Sequence, residues 1–145
     1  MTVRRATPAD ADAIVAIERA SFAVPWSEAS VRHDLETNPD ARVWVAEEAG
    51  RVVGYAGLWR VLDEGQVNDV AVLPDVRRRG IGRALVRRMA RDAADEGIVR
   101  LTLEVRSRNT AAIALYEAEG FGREGRRKGY YADDGDDAVL MGRSL

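Results

Sequence analysis

Arg77-Arg78-Arg79-Gly80-Ile81-Gly82-Arg83 is the stretch on which the reading of this chain turns. Before it lies Gln66 to Leu73, a β-rich run stopped by Pro74. After it, from Gly80 to Glu96, Ile81, Leu85, Met89 and Ala93 recur on one helical face until Gly97 ends the helix. A strand, two glycines and a helix N-terminus in succession make a place for an anion. The first N–H groups of a helix have no acceptor within it, and the helix dipole adds positive potential there. That combination suits a phosphate or pyrophosphate. Two other glycine loops do not fit: a dinucleotide fingerprint needs Gly or Ala where Leu85 stands, and no G-x-x-x-x-G-K-[ST] run exists. Taken alone, the loop could equally be a solvated, arginine-rich turn that caps a helix.

Outward from this stretch, strands and helices alternate without a linker. Thr7 and Pro8 suit the N-cap and first position of a helix carrying Ile14, Ile17 and Ala20. Pro25 breaks it, and Ser27 can cap a short helix with Val31 and Leu35. Arg42 to Glu47 and Arg51 to Trp59 read as strands of a hairpin turned at Glu48-Ala49-Gly50. Leu101 to Arg106 reads as a strand, Asn109 to Glu119 as a helix ended by Gly120, and Phe121 onward as a last strand or strand pair. This order predicts an α/β fold, a mixed central sheet flanked by helices. The 145 residues fit one domain over 1–145, since a domain usually takes roughly 100–200 residues.

Composition narrows the chemistry. The chain has no cysteine and one histidine, His33, which excludes disulfides, thiol nucleophiles and multi-histidine metal sites and makes a Ser-His-Asp triad an unpromising reading. Twenty-two basic and 24 acidic residues leave a net charge of −2, so steering onto nucleic acid or an anionic membrane is not expected. Lys128 is the single lysine, and the arginines are spread along the whole chain. Met1 to Arg5 leads into a polar stretch with no apolar h-region, and no run reaches the roughly 20 apolar residues of a membrane span. A cytoplasmic protein is the expectation.

Two further segments carry candidate chemistry. In Leu101-Thr102-Leu103-Glu104-Val105-Arg106 the apolar residues alternate onto one face, leaving Thr102, Glu104 and Arg106 on the other. A strand covered by helices on both sides should be apolar on both, so this polar face looks either to solvent or into a site. Asn109 is a natural N-cap. Tyr116 lies seven residues further on, roughly 10.5 Å along the same helix, where packing in the core is its plainest role.

Together these segments resemble the GCN5-related N-acetyltransferase family. The match rests on Arg77, Gly80 and Gly82 in an R/Q-x-x-G-x-G/A pattern, on Val70-Ala71-Val72 with Pro74 before it, and on the Asn109-to-Tyr116 helix ending in Gly120-Phe121. Pro25-Trp26-Ser27-Glu28, Leu103-Glu104-Val105-Arg106, Leu115-Tyr116-Glu117 and Tyr130-Tyr131 are similar to the subgroup that acetylates the N-terminal alanine of a small-subunit ribosomal protein. Asp69, where that subgroup usually has asparagine, and Gly129 before the tyrosine pair depart from it.

The resemblance implies direct transfer of an acetyl group from acetyl-coenzyme A to an amine, with no metal. It implies that the backbone at Arg78, Arg79, Gly80, Ile81, Gly82 and Arg83 holds the pyrophosphate and that Val70, Ala71 and Val72 pair with the pantetheine amides. Asn109 would contact the cosubstrate further along, and a backbone N–H at Val72 would polarise the thioester oxygen. Glu104 takes the position of the proton acceptor and Tyr116 that of the donor to the leaving thiolate. The implied partner is a protein N-terminus. A broader α-amine or lysine acetyltransferase and a non-catalytic acetyl-coenzyme A sensor stay open. The run Asp133, Asp134, Asp136 and Asp137 reads as a solvated loop that would favour a cationic peptide end if it bordered the acceptor groove.

Overall fold

The computed structural model describes residues 1–145. Seven strands form one sheet in the order β1-β2-β3-β4-β5-β7-β6. They are β1 (Thr2–Arg5), β2 (Ala41–Glu48), β3 (Arg51–Val61), β4 (Glu64–Val72), β5 (Arg100–Arg106), β6 (Gly122–Arg127) and β7 (Ala138–Ser144). The helices are α1 (Ala11–Ser21), α2 (Glu28–Glu36), α3 (Ile81–Asp95) and α4 (Thr110–Ala118). No helix is long and apolar enough to cross a membrane.

The local signals act as expected in most places. Ala49 and Gly50 both take positive φ, 50° and 77°, which turns β2 tightly into β3. Ser27 Oγ accepts the Ser30 N–H at 3.1 Å and starts α2. Strand β1 was not anticipated. Only Val3 among its four residues is apolar, and it lies at the sheet edge, held by pairing with β2 and by Arg88, which donates to the Val3 carbonyl at 2.7 Å.

The sheet separates two cores. Helices α3 and α4 pack Ile81, Leu85, Met89, Ile113 and Tyr116 on one face with Leu101, Leu103 and Val105 of β5. Helices α1 and α2 pack Ile14, Ile17 and Val31 on the other, with Tyr55 and Ala71. In β4 the register against β3 slips at Asn68, since Gly57 faces Asp69 while Leu58 faces Val67. This bulge puts Val67, Val70 and Val72 on the α3 side, and leaves Asp69 and Ala71 on the α1 side.

One junction sets up everything that follows. Every strand pair is antiparallel except β4 with β5, which are parallel and pair only at Glu64–Gln66 against Arg100–Thr102. Beyond that point each strand keeps its outer neighbour, β3 or β7, and loses its inner one. A cleft opens in the middle of the sheet.

Candidate active site

Along the cleft, β4 offers an unpaired edge. Leu73 N–H bonds to the Val53 carbonyl at 2.8 Å, so the alternation of an antiparallel ladder turns the N–H and C=O of Val72, and those of Val70, towards the cleft. The Val72 carbonyl is met there by Arg77 Nε at 2.9 Å. Ala71 is different. Its amide turns back towards β3, and its side chain is buried against α1. Of the three residues read as a pantetheine strand, Val70 and Val72 present the edge.

The turn after β4 is rich in free donors. After Val76 N–H, bonded to the Leu73 carbonyl at 3.1 Å, the next backbone donor with a partner is Ala84, bonded to Gly80 at 3.1 Å. All the N–H groups of residues 77–83 are therefore free of protein acceptors. Arg78 and Gly80 hold positive φ of 65° and 81°, which bends the turn around this point. Ile81 and Arg83 contribute through their backbone, because the Ile81 side chain is buried in the core and Arg83 Nε donates to Glu119 at 3.0 Å. Arg87 also pairs with Glu119. Burial pushes the Glu119 carboxyl up, but Arg83 and Arg87 outweigh it and hold the group below its ordinary value, fastening the end of α4 to α3.

Gly82 has a packing role that its sequence neighbours do not announce. A Cβ there would stand 3.2 Å from Leu115 Cδ2, so the glycine lets α3 approach α4. Asn109 caps α4, accepting the Ala112 N–H at 3.2 Å through Oδ1, and its Nδ2 stays free. Tyr116 packs edge-on against Phe121 at 5.6 Å. It is 6% exposed and makes no protein hydrogen bond through its hydroxyl, yet no buried side-chain polar atom is without a partner. The hydroxyl must therefore reach an accessible space. Burial, and after it the charge of Asp69, push its ionisation upwards.

Glu104 lies on the other wall. Because Leu103 and Val105 face α3 and α4, its side chain projects to the α1 side of the sheet, the side Asp69 also faces. Arg127 Nη1 stands 3.4 Å from Glu104 Oε1, and the carboxylate holds the nearby Tyr130 hydroxyl above its ordinary value. Tyr130 stacks edge-on with Tyr131 at 5.2 Å, and Arg106 lies 3.9 Å over the Tyr131 ring. The acidic run beyond is occupied rather than free. Arg106 pairs with Asp133 and Asp134, Ser107 and Arg108 with Asp136, and Arg126 with Asp137. Its carboxylates order the loop, with Gly129 N–H donating to Asp137 at 2.8 Å, and three arginines offset most of their charge. His33 stays outside, its Nδ1 bonded to Thr37 at the end of α2.

The chain that forms this cleft between two splayed parallel strands matches known proteins in sequence and in fold. The profile described as the acetyltransferase (GNAT) family covers residues 11–121. The chain belongs to the GNAT family. The [ribosomal protein bS18]-alanine N-acetyltransferase of Escherichia coli K12 is 35% identical over 97% of this chain and 95% of its own length. The N-alpha-acetyltransferase RimI of Mycobacterium tuberculosis is 38% identical over 99% and 92%. The crystal structure of the E. coli ribosomal-protein-S18-alanine N-acetyltransferase superposes with a TM-score of 0.91 at 34% identity, covering 99% of this chain and 93% of that one. The yncA structure from Salmonella typhimurium, solved with its cofactor acetyl-CoA, superposes at 0.87 with 27% identity, over 100% and 94%. This GNAT protein is an N-acetyltransferase, and the mixed sheet flanked by helices is the one its sequence predicts.

The sequence reading missed Glu18 and Tyr55 and noted Asp69 only as a departure. Tyr55 donates to Glu18, and its oxygen lies 3.2 Å from Asp69 Oδ2. A signal for Glu18 was in hand: it follows Ile14 by four residues and so falls on the apolar stripe of α1.

Proposed function

We propose that this GNAT protein transfers the acetyl group of acetyl-CoA to the N-terminal α-amine of a protein, the N-terminal alanine of a small-subunit ribosomal protein in particular, with residues 1–145 working as one domain. The observation that carries the cosubstrate is the closeness along the chain of the open Val70–Val72 edge and the free backbone donors of residues 77–83. An extended chain with amides and a pyrophosphate needs a strand edge first and an anion cradle next, and here they adjoin. Arg78, Arg79, Gly80, Ile81, Gly82 and Arg83 supply the cradle through their amides, and Asn109 Nδ2 is free to meet the cosubstrate further along. Val72 N–H, aimed into the cleft, takes the thioester oxygen as negative charge develops on it.

Glu104 receives the proton of the attacking amine. A free α-amine ionises near 7.7–8.0 and a lysine near 10.4, so one exposed carboxylate is adequate for the first near neutral pH. Tyr116 donates to the departing thiolate; its burial keeps the hydroxyl protonated until that moment. The bond between amine nitrogen and carbonyl carbon forms, the carbon–sulfur bond breaks, and one proton goes to each side. The acceptor assignment is supported by the names of the E. coli and M. tuberculosis relatives and by Glu104, Tyr130 and Tyr131 standing together. Ribosomal proteins are made in the cytoplasm, which is the compartment this reading requires.

Steady-state thiol release with a peptide beginning in alanine tests the reading. Peptide-dependent turnover is expected. Tight binding of acetyl-CoA with no peptide-dependent thiol release would make the protein a sensor instead.

A further inference from the structure

Asp69 stands in the open stretch of β4, one residue before Val70, and has no role in the steps above. Tyr55 of β3 donates its hydroxyl to Glu18 of α1, and the same oxygen lies 3.2 Å from Asp69 Oδ2. The other oxygen of Glu18 accepts the Trp26 N–H at 2.8 Å. A phenol has one proton to give. It cannot serve two carboxylates, so the second contact holds only where one carboxyl brings a proton of its own. Glu18 already accepts from both Tyr55 and Trp26. Asp69, which also hydrogen-bonds to Glu18, is then the carboxyl that brings the proton. Its surroundings agree, since burial and next the charge of Glu18 push Asp69 up to about 8.

The titratable groups facing Asp69 come from four elements: Glu18 of α1, Tyr55 of β3 and Tyr116 of α4, with Asp34 of α2 lining the same cavity. No basic side chain lines that cavity. An ionised Asp69 would add negative charge that acts on the Tyr116 hydroxyl and makes it a weaker donor.

We propose that Asp69 is a positioning residue of the transfer: holding a proton beside Glu18, it keeps negative charge away from the Tyr116 hydroxyl and so keeps that hydroxyl able to donate. The inference rests on the reading of Tyr116 as the donor.

The test is kcat against pH, at saturating acetyl-CoA and peptide, for the wild type, Asp69→Asn and Tyr116→Phe. Asparagine keeps an N–H to donate to Tyr55 but does not titrate. Wild-type kcat should fall above about pH 8, and the fall should be absent in Asp69→Asn, so that its ratio of kcat at about pH 9 to kcat at about pH 7 exceeds the wild-type ratio about three- to tenfold. Deprotonation of the peptide amine affects both proteins alike and cancels in the comparison. If Tyr116→Phe is slow but Asp69→Asn follows the wild-type profile, the Asp69 inference is overturned and the Tyr116 reading stands. If Tyr116→Phe keeps its kcat, the donor assignment is wrong and the inference falls with it. An infrared pH titration of the wild type needs no variant to fold. The carbonyl stretch of a protonated carboxyl at neutral pH, lost near pH 8, supports the proposal, and no such band at neutral pH contradicts it.

Discussion

Gly82 of α3 and Leu115 of α4 meet where the two helices approach each other, and a Cβ on the glycine would come within 3.2 Å of the leucine Cδ2. The glycine thus leaves room for a helix, beside the pyrophosphate contact proposed for its backbone. Gly82→Val should lose about 1–3 kcal/mol of stability by overpacking and raise the Kd for acetyl-CoA at least about tenfold, worth about 1.4 kcal/mol. The double variant Gly82→Val with Leu115→Ala separates the effects, because the pair shares one contact. Stability should recover and affinity should not. Calorimetry showing full recovery of affinity would assign Gly82 to packing alone.

Glu104 and Tyr116 flank the cleft from β5 and α4. Glu104→Gln keeps the shape and removes the proton acceptor, so kcat should fall by roughly 10²–10⁴. Tyr116→Phe removes one hydroxyl that has no protein partner, so it should lower kcat while leaving the melting temperature close to wild type. Acetyl-CoA affinity should change little in either. Near-wild-type kcat in both would mean that the proton transfers run through other groups.

Asp69 also marks the pH dependence of stability. In the fold it keeps its proton up to about 8, against an ordinary value of 3.8 in the unfolded chain. Between these values the folded state binds the extra proton, so this group's contribution falls as pH rises through the window and levels off above it. Asp69→Asn has no such proton. Its stability should therefore gain on the wild type as pH climbs from about 4 to about 8. Melting curves of the two proteins that stay parallel across that range would contradict a protonated Asp69.

What could be read from the sequence was whatever is local. Helix caps at Ser27 and Asn109, the Ala49-Gly50 turn and the apolar stripe of α3 each lie within a few residues of what they specify. The bulge at Asn68 is a matter of register with β3, and no residue near it announces it. The Glu18–Tyr55–Asp69 cluster joins residues 37 and 14 positions apart, which only the folded sheet brings together. Asp133, Asp134, Asp136 and Asp137 looked like a solvated run because their partners, Arg106, Ser107, Arg108 and Arg126, come from β5, the turn after it and β6. The open edge of β4 is the deepest case. Val70-Ala71-Val72 reads as an ordinary strand, and its open edge exists only because β5 departs from it.

The most direct test of the central claim is where the acetyl group lands. An α-amine is about 2.5 pKa units easier to deprotonate than a lysine, worth roughly 3.4 kcal/mol to a site with one carboxylate facing the acceptor. A peptide beginning Ala-Arg and its N-blocked twin with an internal lysine should be incubated with labelled acetyl-CoA and the label located by mass spectrometry. Label on the N-terminal alanine, with the twin far slower, is the predicted result. Equal labelling of both peptides, or label mainly on lysine, would contradict an N-terminal acceptor.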